Sequence, residues 1–462
     1  MMESSIQPDA LETSRPATLD WLGVIRLGLV QTCLGAIVVM MTSTINRVMI
    51  VELVLPAIVP GLLMALHHGV QILRPAWGYR ADIGGRRTPW IIGGMGVLAL
   101  GGFGAALATA LMSVQLVAGM ALAIFAFLLI GLGVGAAGTS VLTMLATCVA
   151  PRRRAAAATI VWVMMIFGFA ITAPLAGHFL DPFSNERLIL VTGTVCAISF
   201  CLSALSVRGV EDKVAGISAA AARSHASRPS RPPFRDAIGQ IWNEPAARRF
   251  TIFIFVSMLA YSAQELLIEP YAGLVFSMTP GATTKLAGVQ HGGVLVGMLS
   301  VAFLASFAGI GTLGGWTVGG CVASALSLSA VAAGAFAGPD YPLRAAIFAL
   351  GVSNGAFAVS AIGSMMSLAG SGAATREGTR MGLWGASQAI AFGLGGFVGT
   401  AAVDIARHAL SEPGMAYASV FLGEAVLFLV SAILAARLAS GAAAQGRDAD
   451  MAGNENPLTA GT

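Results

Sequence analysis

Charge is the scarcest commodity in this 462-residue chain. Only 10% of its residues are Asp, Glu, Lys or Arg, and Lys213 and Lys285 are its only lysines. Soluble domains carry about 25% charged residues, so a water-facing globular protein is excluded. The small net charge of +4 is mostly arginine, and it gives no support to a nucleic-acid partner. Cysteine is also sparse: Cys33, Cys148, Cys196, Cys201 and Cys321 all fall in apolar runs, and none forms a CxxC pair. That pattern excludes a disulfide framework and a cysteine metal site. No Walker loop, nucleophile elbow, HExxH or zinc spacing occurs, so no ATPase or hydrolase chemistry can be assigned.

What remains is apolar sequence, 56% of the chain, with a mean hydropathy of +0.81. It divides into twelve runs long enough to cross a bilayer, near 22–44, 53–73, 89–111, 115–148, 158–180, 187–207, 250–272, 290–310, 316–336, 343–369, 381–403 and 415–437. The expected fold is an all-α membrane protein of twelve transmembrane helices in two six-helix, pseudo-symmetric halves. Residues 1–21 form an N-terminal tail without a basic start or cleavage site, so the first span is expected to be retained. Residues 22–207 form the first half, 208–249 a linker rich in Ala, Ser, Arg and Pro, 250–437 the second half and 438–462 a C-terminal tail. The linker composition cannot bury a core, although 234–249 can form an amphipathic helix leading into the seventh span.

Orientation follows from arginine. Of the 26 basic residues, all but Arg47, Arg187, Lys285, Arg344 and Arg407 gather on the side of the termini and the linker. The positive-inside rule makes that side the cytoplasm, with both termini on it. In a bacterium this places the chain in the inner (intracytoplasmic) membrane.

Polar residues inside the spans mark candidate sites, because lipid penalises them. Gln31, Gly35, Thr42 and Asn46 share one face of the first span, lining either a cavity or a helix interface. Gly131, Gly135, Thr139, Thr143 and Thr147 recur every fourth residue in the fourth span, a spacing that favours close helix packing. In the seventh span Glu265 and Glu269 lie one turn apart next to Gln264, with Tyr261 a turn further in. Glu265 lies about 20 Å along the helix from Phe250, so it is the stronger candidate, whereas Glu269 beside Pro270 also fits the membrane interface. His67 and His68 end the second span. Either can ligate a metal through one ring nitrogen or simply cap a helix end, and adjacent positions on a helix cannot chelate one ion together.

The loop Trp77-Gly78-Tyr79-Arg80-Ala81-Asp82-Ile83-Gly84-Gly85-Arg86-Arg87 resembles the signature between helices two and three of the major facilitator superfamily, through Gly78, Ala81, Asp82, Gly85, Arg86 and Arg87. Its expected task is to clasp the first half on the cytoplasmic side, with Asp82 and the arginines as the clasp. The corresponding stretch of the second half, Gly311 to Gly320, has glycines and no charge, which weighs against an alternating-access carrier.

Three further runs are more specific. They are Thr44-Ile45-Asn46-Arg47-Val48-Met49-Ile50-Val51-Glu52-Leu53, Ala260-Tyr261-Ser262-Ala263-Gln264-Glu265-Leu266-Leu267-Ile268-Glu269-Pro270-Tyr271 and Thr375-Arg376-Glu377-Gly378-Thr379-Arg380-Met381-Gly382-Leu383-Trp384-Gly385. Together they resemble the PucC/LhaA family, a branch of that superfamily associated with bacteriochlorophyll delivery and light-harvesting complex assembly. Some members are named as a bacteriochlorophyll synthase chain. The short loop between Gly78 and Pro89 is more similar to the relative encoded among bacteriochlorophyll synthesis genes.

The resemblance implies a non-enzymatic membrane assembly factor with bacteriochlorophyll as its cargo and no other cofactor. Its implied partners are light-harvesting or reaction-centre polypeptides, bacteriochlorophyll synthesis enzymes and the lipid bilayer. Candidate polar anchors are Gln31, Asn46, His67, His68, Gln264, Glu265 and Glu269. The alternative is a proton-coupled secondary transporter of a small amphipathic solute, with Glu265 as the coupling group. An enzyme subunit ranks last, because no catalytic constellation is present.

Overall fold

A computed structural model describes residues 18–73, 86–212, 242–306, 308–370, 377–410 and 412–454. Within them the chain is twelve helices with short connections: α1 Trp21–Val39, α2 Ile58–Val70, α3 Thr88–Met112, α4 Leu116–Cys148, α5 Arg154–Leu180 and α6 Asn185–Val207 come first. They are followed by α7 Pro245–Val275, α8 Pro280–Ser306, α9 Leu313–Ala337, α10 Leu343–Gly370, α11 Glu377–Ala409 and α12 Pro413–Asn454. Eleven are long and apolar enough to cross a membrane, α1 counting together with the widened turns that carry it to Glu52.

Two helices depart from the expected spans. The second, α2, covers 13 residues, about 20 Å, where 53–73 was expected. Pro56 lacks an N–H and disfavours helix at the residue before it, and Val54 takes a positive φ of 53°. The eighth span begins ten residues earlier than the hydropathy indicates. Thr279 caps it, its hydroxyl accepting from Ala282 N at 3.1 Å, and Pro280 supplies a preset φ for the first turn. Thr283, Thr284, Gln290 and His291 lower the hydropathy there, yet all four are buried against protein. Lys285 is thereby inside a helix, its Nζ 3.8 Å from Asp181 of α5. Of the amphipathic helix expected over 234–249, residues 234–241 lie outside the described residues, and 245–249 are the first turn of α7.

The packing repeats six helices on. In the first set α1 lies against α5 and α6, α3 against α4 and α6, and α2 against α4. In the second, α7 lies against α11 and α12, α9 against α10 and α12, and α8 against α10. Each set has its own apolar core, and a third cluster (Val39, Ile166, Phe169, Ala173, Ala287, Val294, Met298) joins α1, α5 and α8 between them. Small residues set the approach of backbones, as the lack of a hydrophobic drive between helices in lipid requires. A Cβ on Gly94 would stand 2.6 Å from Ala137 N, and one on Gly131 2.6 Å from His67 O. Gly131 of the four-residue stripe thus packs against α2. Thr143 and Thr147 turn their hydroxyls back onto the carbonyls of Thr139 and Thr143.

The sets meet along two seams, α2 with α11 and α5 with α8. At the first, the Asp404 carboxylate of α11 accepts from both Ala57 N (3.0 Å) and Ile58 N (2.8 Å). These are orphan donors of the α2 N-terminus, and the carboxylate also meets its positive dipole end. One turn on, Gly61 lies so close to Thr400 that a Cβ would overlap its hydroxyl.

On the face where α1 begins, the described end of the signature loop is tied to its own half. Arg86 pairs with Asp212 at 2.7 Å, and Arg87 donates to the Thr147 hydroxyl at 2.8 Å. The Glu211 carboxylate accepts from Arg87 N and Thr88 N, capping α3. Gly78, Asp82 and Gly85 lie outside the described residues.

Asp404→Ala removes a two-bond cap and should cost about 1 kcal/mol, as other N-cap deletions do. The expected outcome is a lower melting temperature in detergent than for Asp404→Asn, which keeps one acceptor. Equal melting for the two variants and the parent would contradict the cap.

Candidate functional site

The site grows out of a defect in α1. Beyond Val39 the helix widens into i→i+5 turns over Met40–Ile45 and Val48–Glu52, where Thr, Ser, Asn and Arg interrupt the apolar run. Wide turns of this kind recur at functional positions. They turn Ser43, Thr44, Asn46 and Arg47 into protein, each at most 5% exposed.

A second irregularity sits opposite, in α7. Pro270 lies inside that helix, so Leu266 O, four residues back, loses the N–H that would bond it. Asn46 Nδ2 donates to that carbonyl at 2.7 Å. A backbone acceptor stranded in a bilayer costs several kcal/mol, and here the first half supplies the donor that the second half lacks. Nearby, Thr44 and Thr284 share a hydrogen bond of 3.0 Å between α1 and α8. The Arg47 guanidinium pairs with Glu52, donates to Met278 O at 2.8 Å and lies over Gly273, where a Cβ would come within 3.0 Å of it.

Deeper along α7 and α8, Glu265 faces His291, with Oε1 3.9 Å from Nε2. His291 Nδ1 lies 2.9 Å from Ala287 O, and a carbonyl only accepts, so Nδ1 carries a hydrogen. In the neutral ring Nε2 is then an acceptor turned towards a carboxylate. A proton or a bound cation between them turns this contact attractive. Phe169 of α5 closes one side with its ring 4.8 Å from the imidazole, edge to face. Glu269, one turn along from Glu265, is buried with its carboxylate facing the Ser43 hydroxyl of the first half. Gln31 Oε1 is buried and unsatisfied.

The structure therefore brings Asn46, Glu265 and Glu269 to the contact between the halves, whereas Gln264, His67 and His68 have other surroundings. Gln264 is fully buried, with neither end of its amide bonded. It shares its helix face with Ala260, Leu267 and Tyr271, residues of the second-half core. His67 is buried, its Nε2 2.9 Å from the Gln71 amide one turn along, and its ring meets that of His68 edge to face at 4.7 Å. His68 lines a groove between α2 and α11, its ring 5.5 Å from Phe392.

Sequence reasoning missed His291, Ser43, Thr284 and Asp404. His291 stood at the start of the span as read, one residue inside it, and only the earlier helix start carries it deep into the membrane. It also missed Glu424 in the middle of α12, buried with both oxygens unbonded. A lone carboxylate in an apolar run was signal enough there. Among the described residues no cluster of His, Cys, Asp and Glu is arranged to hold a metal ion.

Solved structures place this geometry in a class. The chain is similar to a proton-dependent oligopeptide transporter (TM-score 0.64, 14% identity, 90% of this chain and 98% of that one). It is equally similar to the nucleoside transporter NupG (TM-score 0.65, 13% identity, 91% and 99%). It is a multi-pass membrane protein with the fold of the major facilitator superfamily. Within that class the PUCC protein family matches residues 44–443, and the chain belongs to the PucC family. A relative in Rhodobacter capsulatus, named bacteriochlorophyll synthase 44.5 kDa chain, is 52% identical over 419 residues, covering 90% of this chain and 95% of the relative. Protein PucC of Rhodobacter capsulatus is 28% identical over 442 residues, covering 90% and 92%.

Asn46→Leu leaves Leu266 O buried without a donor and should cost about 1–3 kcal/mol. Pro270→Ala restores the helical N–H, so in that background the same substitution should cost far less. Thermal unfolding of the four proteins checks this cycle, and additive losses would refute the pairing.

Proposed function

We propose that this chain is a membrane-embedded assembly factor that binds bacteriochlorophyll and hands it to light-harvesting or reaction-centre polypeptides, without bond-making chemistry of its own. The observation that carries this reading is the close relative named for bacteriochlorophyll, matched along nearly its whole length, together with a transporter-type framework. Bacteriochlorophyll is a water-insoluble ring with a long apolar tail. A protein of membrane helices can pass it between proteins without exposing it to water. The word synthase in the relative's name finds no support in the polar groups at the seam. Asn46, Thr44 and Arg47 are engaged in holding helices together.

In this reading the termini and the 208–249 linker lie in the cytoplasm, where the arginines gather. The halves 22–207 and 250–437 are the moving parts, and the Glu265–His291 contact lies where they meet. Enzymes of bacteriochlorophyll synthesis are the source of pigment, and the antenna or reaction-centre polypeptides receive it.

One observation favours a second reading, a proton-coupled carrier of a small amphipathic solute. Glu265 and His291 form an acceptor pair that a single proton reconciles, at the contact between halves. The two readings part in a phototrophic host lacking the gene. Assembled antenna absorbance should fall while pigment synthesis continues, and restored Glu265→Gln protein should give at least partial antenna. Normal antenna in the deletion strain would reject the assembly reading. Uptake of a solute into proteoliposomes driven by a pH gradient, and lost in Glu265→Gln, would establish the carrier.

A further inference from the structure

The interior of the second half holds a polar layer that takes no part in the seam. Tyr271 of α7 marks a level from which it can be placed. Its ring lies 5.9 Å from that of Tyr417 on α12, and its hydroxyl donates to Val331 O of α9 at 3.0 Å. Successive helices cross the bundle in opposite directions, so α7 and α9 run one way and α10 and α12 the other. Seven residues make two turns, about 10 Å, and return to nearly the same face. Two turns from the Tyr271 level, towards the start of α7, the three helices present Gln264, Ser324 and Glu424. Asn354 of α10 joins them, its Oδ1 accepting from the Ser324 hydroxyl at 2.9 Å. One turn further on, Phe357 of α10 and Phe428 of α12 close the layer with rings 6.0 Å apart.

Gln264, Ser324 and Asn354 are fully buried, and Glu424 is 3% exposed. Both ends of the Gln264 amide, Asn354 Nδ2 and both Glu424 oxygens lack a hydrogen-bond partner. Among the described residues no basic side chain pairs with Glu424. We infer that this layer binds a sodium ion, with the Glu424 carboxylate as its charged ligand and Gln264 Oε1 and Ser324 Oγ as neutral ones. Carboxylate, amide and hydroxyl oxygens are the donors that hard cations take. One carboxylate balances one positive charge, whereas a divalent ion would leave the interior charged. Oxygens around an ion also stand apart from one another. At ligand distances of about 2.4 Å, those of the similarly sized calcium ion, they are roughly 3.5–5 Å from each other. Groups that converge without bonding one another fit that spacing. Water alone would leave the Glu424 charge unbalanced, and a proton on Glu424 would leave both ends of Gln264 unbonded.

Such an ion ties α7, α9, α10 and α12 together and fixes the rotation of α7. Glu265 is the next residue on that helix, about 100° round it, and Leu266 O beyond takes the bond from Asn46. Occupancy inside the second half therefore sets how α7 is presented to the first.

The test uses the full chain in lipid nanodiscs and does not depend on what the chain carries. Thermal unfolding is compared in sodium chloride and choline chloride at equal ionic strength, and binding is read with radioactive sodium. The parent should melt higher in sodium and saturate at a single ion per chain. Glu424→Gln keeps the shape, removes the charge and should lose both effects. Gln264→Leu and Ser324→Ala should each weaken binding about tenfold or more, the scale of losses when groups around a metal are removed. Glu265→Gln, the neighbour that faces His291, should leave sodium binding unchanged. Equal melting of the parent in the two salts, with no bound sodium, would overturn the site and leave a layer filled by water. Sodium binding that survives Glu424→Gln would overturn it too, and its loss in Glu265→Gln would place the ion at the seam. If Glu424→Gln does not fold, parental sodium affinity in Ser324→Ala and Gln264→Leu decides against the site.

Discussion

Everything in this structure answers to one constraint: inside a bilayer, no water is available to bond a backbone group that the fold leaves unpaired. Pro270 creates such a group at Leu266 O, and Asn46 meets it from the other half of the molecule. The start of α2 leaves two more at Ala57 and Ile58, and Asp404 meets both, again across the halves. A transporter-type bundle is held together at its middle by polar groups of one half completing the backbone of the other. Apolar packing then fills the space around them.

The same constraint marks where the molecule departs from pure scaffold. Glu265, Glu269 and Glu424 are carboxylates inside membrane helices, where such groups are costly. The first two lie on α7, which meets the first half at Asn46. Glu424 lies on α12 within the second half's own core side, where its carboxyl serves no bond in the described structure. A chain under no functional demand would replace these groups with apolar ones of similar volume at no loss of stability.

Much of the fold was legible in residue order. Long apolar runs gave twelve helices in two sets, and Gly131 at a four-residue spacing marked a close helix contact before any neighbour was known. The errors have physical causes. Hydropathy averages around a helix, so Thr283, Thr284, Gln290 and His291 hid the first ten residues of α8, although they face protein and not lipid. Proline at position 56 shortened α2 because it denies the upstream turn its hydrogen bond and geometry. Of the candidate residues, Asn46, Glu265, Gln264 and His67 were all visible as polar residues in lipid, and residue order could not tell which of them meet across the halves.

Sequence alone determined the class of solvent, the number of helices, the internal repeat and the family resemblance, because each rests on composition, periodicity or local motif. Tertiary structure decided which polar residues meet. The pairing of Asn46 with Leu266 O joins positions 220 residues apart, and that of Glu265 with His291 joins neighbouring helices whose rotation no periodicity specifies. It also decided that His67 and His68, adjacent in the chain, serve different surroundings. One helical step of about 100° buries the His67 ring and leaves His68 at the rim of the α2–α11 groove, although the two rings touch.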